Sequence, residues 1–213
     1  MSRPPRPPMP STRPTAGGDG QVRIIGGRWR NTRLPVPRLD GLRPTGDRVR
    51  ETLFNWLMPV LPGARVLDLF AGSGALGLEA VSRGASTAQL VERDPARAAA
   101  LGEVVARLQA GAQVQVAADD ALHWLERAPA FGADIVFIDP PFAAGLWTQA
   151  LQRLPRHLAD DAWLYLEVAA GGLPFALPGW SPHRQGTTRE VGYALYRRAA
   201  ATLGNDLNAT PSA

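Results

Sequence analysis

From Arg65 onward the chain alternates between short unbroken apolar runs and longer amphipathic stretches, a rhythm that few architectures accept. The segments "RVLDLF", "TAQLVE", "VQVAA" and "DIVFID" read as strands, separated by helical stretches such as "PARAAALGEVVARL" and "DALHWLER". A fifth strand, "AWLYLEV", follows a helix near "GLWTQALQRL". The tail "EVGYALYRR" alternates after a loop, as expected of an antiparallel edge strand closing the sheet. In "DIVFID" the four residues Ile135 to Ile138 are all apolar, the pattern of a strand covered on both faces. Repeated strand-helix units of this kind predict an α/β protein with a doubly wound parallel sheet.

Ligands of such sheets bind beyond the carboxyl ends of the strands, where strand order reverses, so the residues following each strand carry the functional reading. The first strand runs into "DLFAGSGALG", residues 68 to 77, in which Gly72, Gly74 and Gly77 have a GxGxxG spacing. Glu92 ends the next strand, 20 residues after Gly72, where a carboxylate can accept both hydroxyls of a ribose. A dinucleotide and S-adenosylmethionine both fit that pair. Asp68 favours the second, because a carboxylate before the glycines repels a pyrophosphate but suits a cationic ammonium, directly or through water. In "AADDAL", Asp120 is placed either to accept the adenine amine or to cap the following helix. The fourth strand ends in Asp139, Pro140, Pro141 and Phe142. Neither proline can donate to a ladder and Pro140 holds Asp139 extended, so a stiff turn fixes an acid, bare carbonyls and an aromatic ring at the strand mouth.

Upstream of this alternation the charge is uneven. All 23 basic residues are arginine, and residues 1 to 50 hold eleven of them against Asp19, Asp40 and Asp47, while the remainder holds twelve against sixteen acids. A basic end joined to a mildly acidic body suits a protein that grips a phosphate backbone beside its site. Residues 1–20, rich in Arg and Pro, and the tail 199–213 have little to bury and are expected to be disordered. Residues 21–62 read as a basic hairpin, "QVRIIGGRWRNTRLPVP" with a Gly and Asn turn, and a helix in "RPTGDRVRETLFNWLMPVL". Asp47 is the expected N-cap of that helix, with Val49, Leu53 and Leu57 on one stripe. Residues 63–198 form the expected catalytic domain. The absence of cysteine excludes a disulfide framework and thiol ligands. His123, His157 and His183 lie too far apart for a metal motif, so no metal is expected. No apolar run approaches the ~18 residues of a membrane span and no secretory signal is read, so no membrane partner and a cytoplasmic location are expected.

Four segments, "RIIGGRWRNTRLPVP", "LRPTGDRVRETLFNWL", "DLFAGSGALGLEA" and "VFIDPPF", together resemble the RsmD family, which methylates the N2 amine of one guanine in bacterial small-subunit ribosomal RNA. The resemblance covers about residues 21 to 198, with Gly46 where the family more often has a polar residue. It implies a Rossmann-like class I methyltransferase fold: a seven-stranded, mostly parallel sheet with its last strand antiparallel, extended by an N-terminal β-hairpin and helix. It implies S-adenosyl-L-methionine as cofactor, held by Asp68, Phe70, Ala71, Gly72, Gly74, Glu92, Asp120 and Ala121. It also implies a monomer acting on 16S rRNA within a small-subunit assembly particle.

The lone pair of guanine N2 is delocalised into the ring, which makes the amine a poor nucleophile. Asp139 and the Pro140 carbonyl are expected to accept its two hydrogens, with Phe142 stacked on the base and Pro141 beside it. The base must be unpaired or extruded to reach them. Arg23, Arg28, Arg30, Arg33, Arg43 and Arg48 are the candidate phosphate contacts, although Arg48 and Arg50 fall on a helix and have Glu51 or other surface acids as alternative partners. Thr45 and Arg48 have a second candidate role in ordering a lid over cofactor and base. An adenine N6 methyltransferase on DNA or RNA uses the same apparatus and is the nearest rival; the chain is short for a separate DNA-recognition domain. A nicotinamide oxidoreductase is opposed by Asp68 and the Asp-Pro-Pro-Phe turn, and a noncatalytic RNA-binding factor by retention of both sets of site residues.

Overall fold

The computed structural model describes residues 21–35, 46–140, 145–173 and 176–198. The expected disordered arm and tail, and the candidate site residues Arg43, Thr45, Pro141 and Phe142, lie outside the described residues. The chain opens with a two-stranded antiparallel hairpin, β1 (Gln21–Arg23) and β2 (Arg33–Pro35), followed by α1 (Asp47–Leu57). Strand and helix then alternate: β3 (Arg65–Asp68), α2 (Ala75–Ser82), β4 (Thr87–Glu92), α3 (Pro95–Arg107), β5 (Val114–Ala118), α4 (Ala121–Arg127), β6 (Ala133–Ile138) and α5 (Leu146–Arg153). A 3-10 turn, Leu154–His157, leads into β7 (Leu158–Ala169), β8 (Trp180–Thr187) and β9 (Val191–Arg198).

The seven-stranded sheet has the order β5-β4-β3-β6-β7-β9-β8. The pairs of β3 with β4 and β6, β4 with β5, and β6 with β7 are parallel, whereas β9 is antiparallel to both β7 and β8. The tail strand is therefore inside the sheet, and β8 forms its edge. The expectation of an edge at "EVGYALYRR" fails because "WSPHRQGT" is a strand that the hydrophobic pattern does not reveal. Most of its residues are exposed, and it carries Pro182 and Gly186, features tolerated on an edge.

The unalternating strands are explained by two cores. Ile135 and Phe137 of β6 and Tyr165 of β7 join a cluster with Leu53, Phe54 and Leu57 of α1 and Leu78 of α2. Val136 and Ile138, with Leu164 and Leu166, join a second cluster on the other face with Leu125 of α4 and Ala150 of α5. With side chains alternating between faces and both faces covered, every position must be apolar. The first cluster also fixes α1: the ring of Phe54 meets that of Phe137 edge-on at 6.1 Å, and Phe137 meets Tyr165 at 6.2 Å. Full burial of a side chain such as Phe54 stabilises the packing by about 1.5–3 kcal/mol.

Asp47 does not cap α1. The capping position is Gly46, and Asp47 occupies the first helical turn, where its carboxylate meets Arg50 Nη2 at 2.6 Å and Arg23 Nε at 3.3 Å. Arg50 is fully buried yet reaches a surface acid other than Glu51: its partners are the exposed Asp47, the Arg23 carbonyl at 2.9 Å and, at 3.8 Å, the buried Glu79 of α2.

Candidate active site

The strand order reverses across β3. The chain winds outward from β3 to β4 and β5, then returns to its other side at β6, so the mouths of β3 and β6 bound one crevice. In register, Asp68 at the end of β3 lies opposite Phe137, two residues before Asp139. The amide of Leu69 donates to the Phe137 carbonyl at 3.2 Å, tying the two mouths together.

Each glycine of the loop after β3 serves a separate purpose. Gly74 has φ +73°, and a Cβ there would stand 2.6 Å from Leu101 Cδ2. At Gly77 a Cβ would fall 2.1 Å from Leu90 Cδ2, so α2 can approach β4 only with glycine at this position. Gly72 also has positive φ, +53°, but a Cβ would meet nothing nearer than 3.9 Å, so this glycine presents its backbone to open space.

Two carboxylates bracket that loop. Asp68, only 2% exposed, accepts the amide of Gly77 at 3.1 Å, and Glu92, 6% exposed, accepts the amide of Gly72 at 2.9 Å. The first amides of a helix are what a dinucleotide loop offers a pyrophosphate. Here one is taken by the chain's own acid, and a second acid stands beside it. The loop thus disfavours a phosphate and fits a cofactor carrying a positive charge and a free ribose. Burial pushes the Asp68 carboxyl up to about 7, against the hydrogen bond from Gly77, and the neighbouring Glu92 charge adds to the rise. Asp68 braces the loop from beneath. Glu92 Oε1 also accepts the Asp94 amide at 2.8 Å and lies 3.3 Å from Arg97 Nη2, so a ribose at this carboxylate must share it with Arg97. Phe70 is half-buried at the loop's start and Ala71 is buried, its amide donating to the Val91 carbonyl at 2.9 Å.

At the mouth of β5 stands Asp120. Its Oδ1 accepts the amides of Leu122 at 2.9 Å and His123 at 3.4 Å, so it caps α4, and Ala121 behind it is buried. The neighbouring Asp119 pairs with His123 Nδ1 at 2.7 Å. At the mouth of β6 the strand ends at Ile138, as the prolines require, leaving Asp139 half-buried and Pro140 buried. Among the described residues, no group of three or more His, Asp or Glu side chains gathers as a metal site. Nor is any described helix long and apolar enough to cross a membrane.

The basic hairpin is joined to this core through residues that the sequence pattern did not single out. Glu79 accepts the amides of Ile25 at 2.6 Å and Gly26 at 2.7 Å, together with Arg83 Nε at 2.6 Å. Ser82 Oγ accepts the Trp29 amide and donates to the Gly26 carbonyl, at 2.9 and 2.7 Å. A Cβ on Gly27 would lie 1.9 Å from the Ser82 carbonyl oxygen, so that glycine seats the hairpin on α2. The signal was available: Glu79 is a lone charge inside the otherwise apolar "ALGLEAVS". Arg23, Arg28, Arg30, Arg33 and Arg48 are all exposed. Arg28 bonds Gln113 and stacks over Trp29, 4.2 Å from its ring centre. Arg23 and Arg33, with Asn31 and Asp47, line a cleft of about 390 Å³. At the other end of β2, Pro35 shares a small crevice with Gly72, Ser73 and Arg97, so the basic hairpin reaches the rim of the glycine loop.

A family model described as Conserved hypothetical protein 95 matches residues 22–197. A ribosomal RNA small subunit methyltransferase D from Escherichia coli strain K12 is 48% identical over 191 residues, spanning 88% of this chain and 96% of its own. Its counterpart from Haemophilus influenzae is 41% identical over 189 residues, spanning 86% and 97%. A solved methyltransferase structure from Escherichia coli aligns with a TM-score of 0.76 at 48% identity, spanning 85% of this chain and 99% of its own.

Proposed function

The chain belongs to the ribosomal RNA small subunit methyltransferase D family, and from that premise we propose that it methylates the exocyclic N2 amine of a guanine in 16S rRNA, using S-adenosyl-L-methionine. The observation that carries the reading is the pair of strand mouths: a loop bracketed by Asp68 and Glu92 beside the end of β6, where Asp139 stands half-buried ahead of Pro140. When bound, the cofactor supplies an electrophilic methyl group on a sulfonium. Glu92 holds the ribose hydroxyls, while Asp68 keeps the loop in shape and keeps phosphate out. Asp120 and Ala121 border the adenine end, with Asp120 acting there through the α4 cap it makes.

Asp139 and the Pro140 carbonyl accept the two N2 hydrogens. Their geometry draws the nitrogen toward a tetrahedral shape and aims its lone pair at the methyl group. As the N–C bond forms, the Asp139 carboxylate stabilises the positive charge growing on nitrogen, a contribution of several kcal/mol in a preorganised site. The surplus proton then leaves to Asp139 or to water. Pro141 and Phe142, outside the described residues, complete the turn, with Phe142 stacked on the base. The exposed Arg23, Arg28, Arg30, Arg33 and Arg48 hold the phosphates around the opened base; Arg43, given the same role, and Thr45, given with Arg48 the role of ordering a lid, lie outside the described residues. The substrate is the RNA of a partly assembled small subunit, where bound proteins present the base, and the enzyme acts on it as a cytoplasmic monomer.

The test is transfer of labelled methyl from S-adenosylmethionine to small-subunit particles from cells lacking this protein, followed by nucleoside analysis. N2-methylguanosine is expected. N6-methyladenosine would replace this reading with adenine methylation, and no incorporation into particles at any assembly stage would favour a noncatalytic RNA-binding role. In the same assay Asp139→Ala is expected to abolish turnover while cofactor binding persists, and undiminished turnover would remove Asp139 from the mechanism.

A further inference from the structure

A second carboxylate stands beside Asp139 and has no part in the mechanism above. Across β6 and β7, Phe137 pairs with Tyr165 and Ile138 with Leu166. Side chains two residues apart share a sheet face, so Asp139 continues the Phe137 side of β6 and Glu167 the Tyr165 side of β7. Asp139, just past the end of β6, and Glu167, two residues before the end of β7, therefore fall side by side on the face that α1 covers. Glu167 is 3% exposed, and Tyr165, fully buried, donates its hydroxyl to Glu167 Oε2 at 2.7 Å. Burial and the charges of Glu167 and Asp139 hold the Tyr165 hydroxyl far above its ordinary range, which keeps it a donor.

The two candidate bases differ where this acid stands. Guanine presents three N–H groups in a row, the two on N2 and the one on N1, whereas adenine presents two on N6 and a lone pair at N1. Resting on the guanine N2 reading, we propose that Glu167, held by Tyr165, accepts the N1–H of the target guanine while Asp139 and the Pro140 carbonyl take the N2 hydrogens. Three acceptors then meet three donors. An adenine in the same place would set its N1 lone pair against a buried carboxylate oxygen, acceptor facing acceptor. Sites that hydrogen-bond a substrate group reject analogues lacking it far more strongly than apolar pockets do.

The experiment uses particles reconstituted with 2-aminopurine at the target position, a base that keeps the N2 amine but has a lone pair at N1. The ratio of kcat/KM for guanine over 2-aminopurine is measured for the full-length enzyme. The wild-type enzyme is expected to prefer guanine by roughly 100-fold or more. Glu167→Gln is expected to narrow that ratio by about tenfold or more. Tyr165 donates to the glutamine carbonyl and turns the amide N–H group toward the base, matching 2-aminopurine and opposing guanine. Tyr165→Phe, which removes only the hydroxyl, is expected to narrow it less, and serves as the readout should the glutamine variant not fold. A purely structural loss lowers both substrates together and leaves the ratio unmoved. N2-methylguanosine from the wild type with an unchanged ratio in the folded variant would overturn this inference alone. N6-methyladenosine from the wild type would overturn the guanine reading and this inference with it.

Discussion

Asp68 is buried where its charge is poorly solvated, and the backbone amides of Gly77 on α2 and of Phe70 only partly offset that burial. Its carboxyl sits near 7 instead of 3.8, so above pH 3.8 the folded protein retains a proton that the unfolded chain releases. The contribution of Asp68 to stability therefore falls as pH rises from about 4 to about 7, with a limiting slope of ~1.4 kcal/mol per pH unit. Asp68→Asn keeps an acceptor for Gly77 and removes the titration. Its stability relative to wild type, from denaturant midpoints at about pH 5 and pH 7.5, is expected to improve at the higher pH. Equal differences at both would show that Asp68 is ionised throughout. Comparing the two proteins cancels His157, whose burial lowers its pKa and whose stabilising effect is lost in the opposite direction, as pH falls through the folded value below 6.5.

The hairpin and α1 are held to the catalytic sheet by one polar knot, Glu79 with Arg50, Arg83 and two hairpin amides. Arg50 already has buried nitrogens, Nε and Nη1, without a hydrogen-bond partner, so Glu79 is its chief neutralising charge within the core. Glu79→Ala would leave two hairpin amides without their acceptor and the buried Arg50 with Asp47 as its remaining counter-charge, with an expected loss of roughly 3–5 kcal/mol in urea unfolding. Glu79→Gln, which keeps one acceptor but no charge, is expected to lose less. A loss under about 1 kcal/mol for the alanine variant would show that apolar packing alone seats the hairpin. Because Pro35 at the end of β2 adjoins Gly72 and Ser73, loosening this knot should also weaken cofactor binding.

Over the whole molecule the basic end and the catalytic crevice form one surface, because the hairpin that carries the exposed arginines is anchored on the helix that begins at the glycine loop. RNA affinity is expected to fall steeply with salt as phosphate contacts release counterions. Replacing Arg28, Arg30 and Arg33 together by alanine should flatten the slope of log K against log salt by about 2 to 3. An unaltered slope would return these side chains to the solvated surface. Arg23 is left in place because its contact with Asp47 belongs to the N-terminus of α1.

Much of the fold is legible locally. Unbroken apolar runs such as Ile135 to Ile138 require covered strands, and the prolines after Asp139 end β6 by removing donors, both consequences of covalent structure and of periodicity. Glycines 72 and 74 mark a turn for the same local reason, their positive φ. Other features depend on partners distant in sequence. The edge position of β8 was hidden because an exposed strand carries little apolar signal, and the interior place of β9 follows from pairing with β7 and β8 together. Asp120 was legible as either a ligand group or a cap, and the structure shows that one of its oxygens makes the cap. Glu79, Arg50 and Glu167 are ordinary charged residues until packing buries them; the sequence by itself determined the apolar strands of the alternation and where they end, while tertiary structure alone decided which charges are removed from water and which neighbours must then hold them.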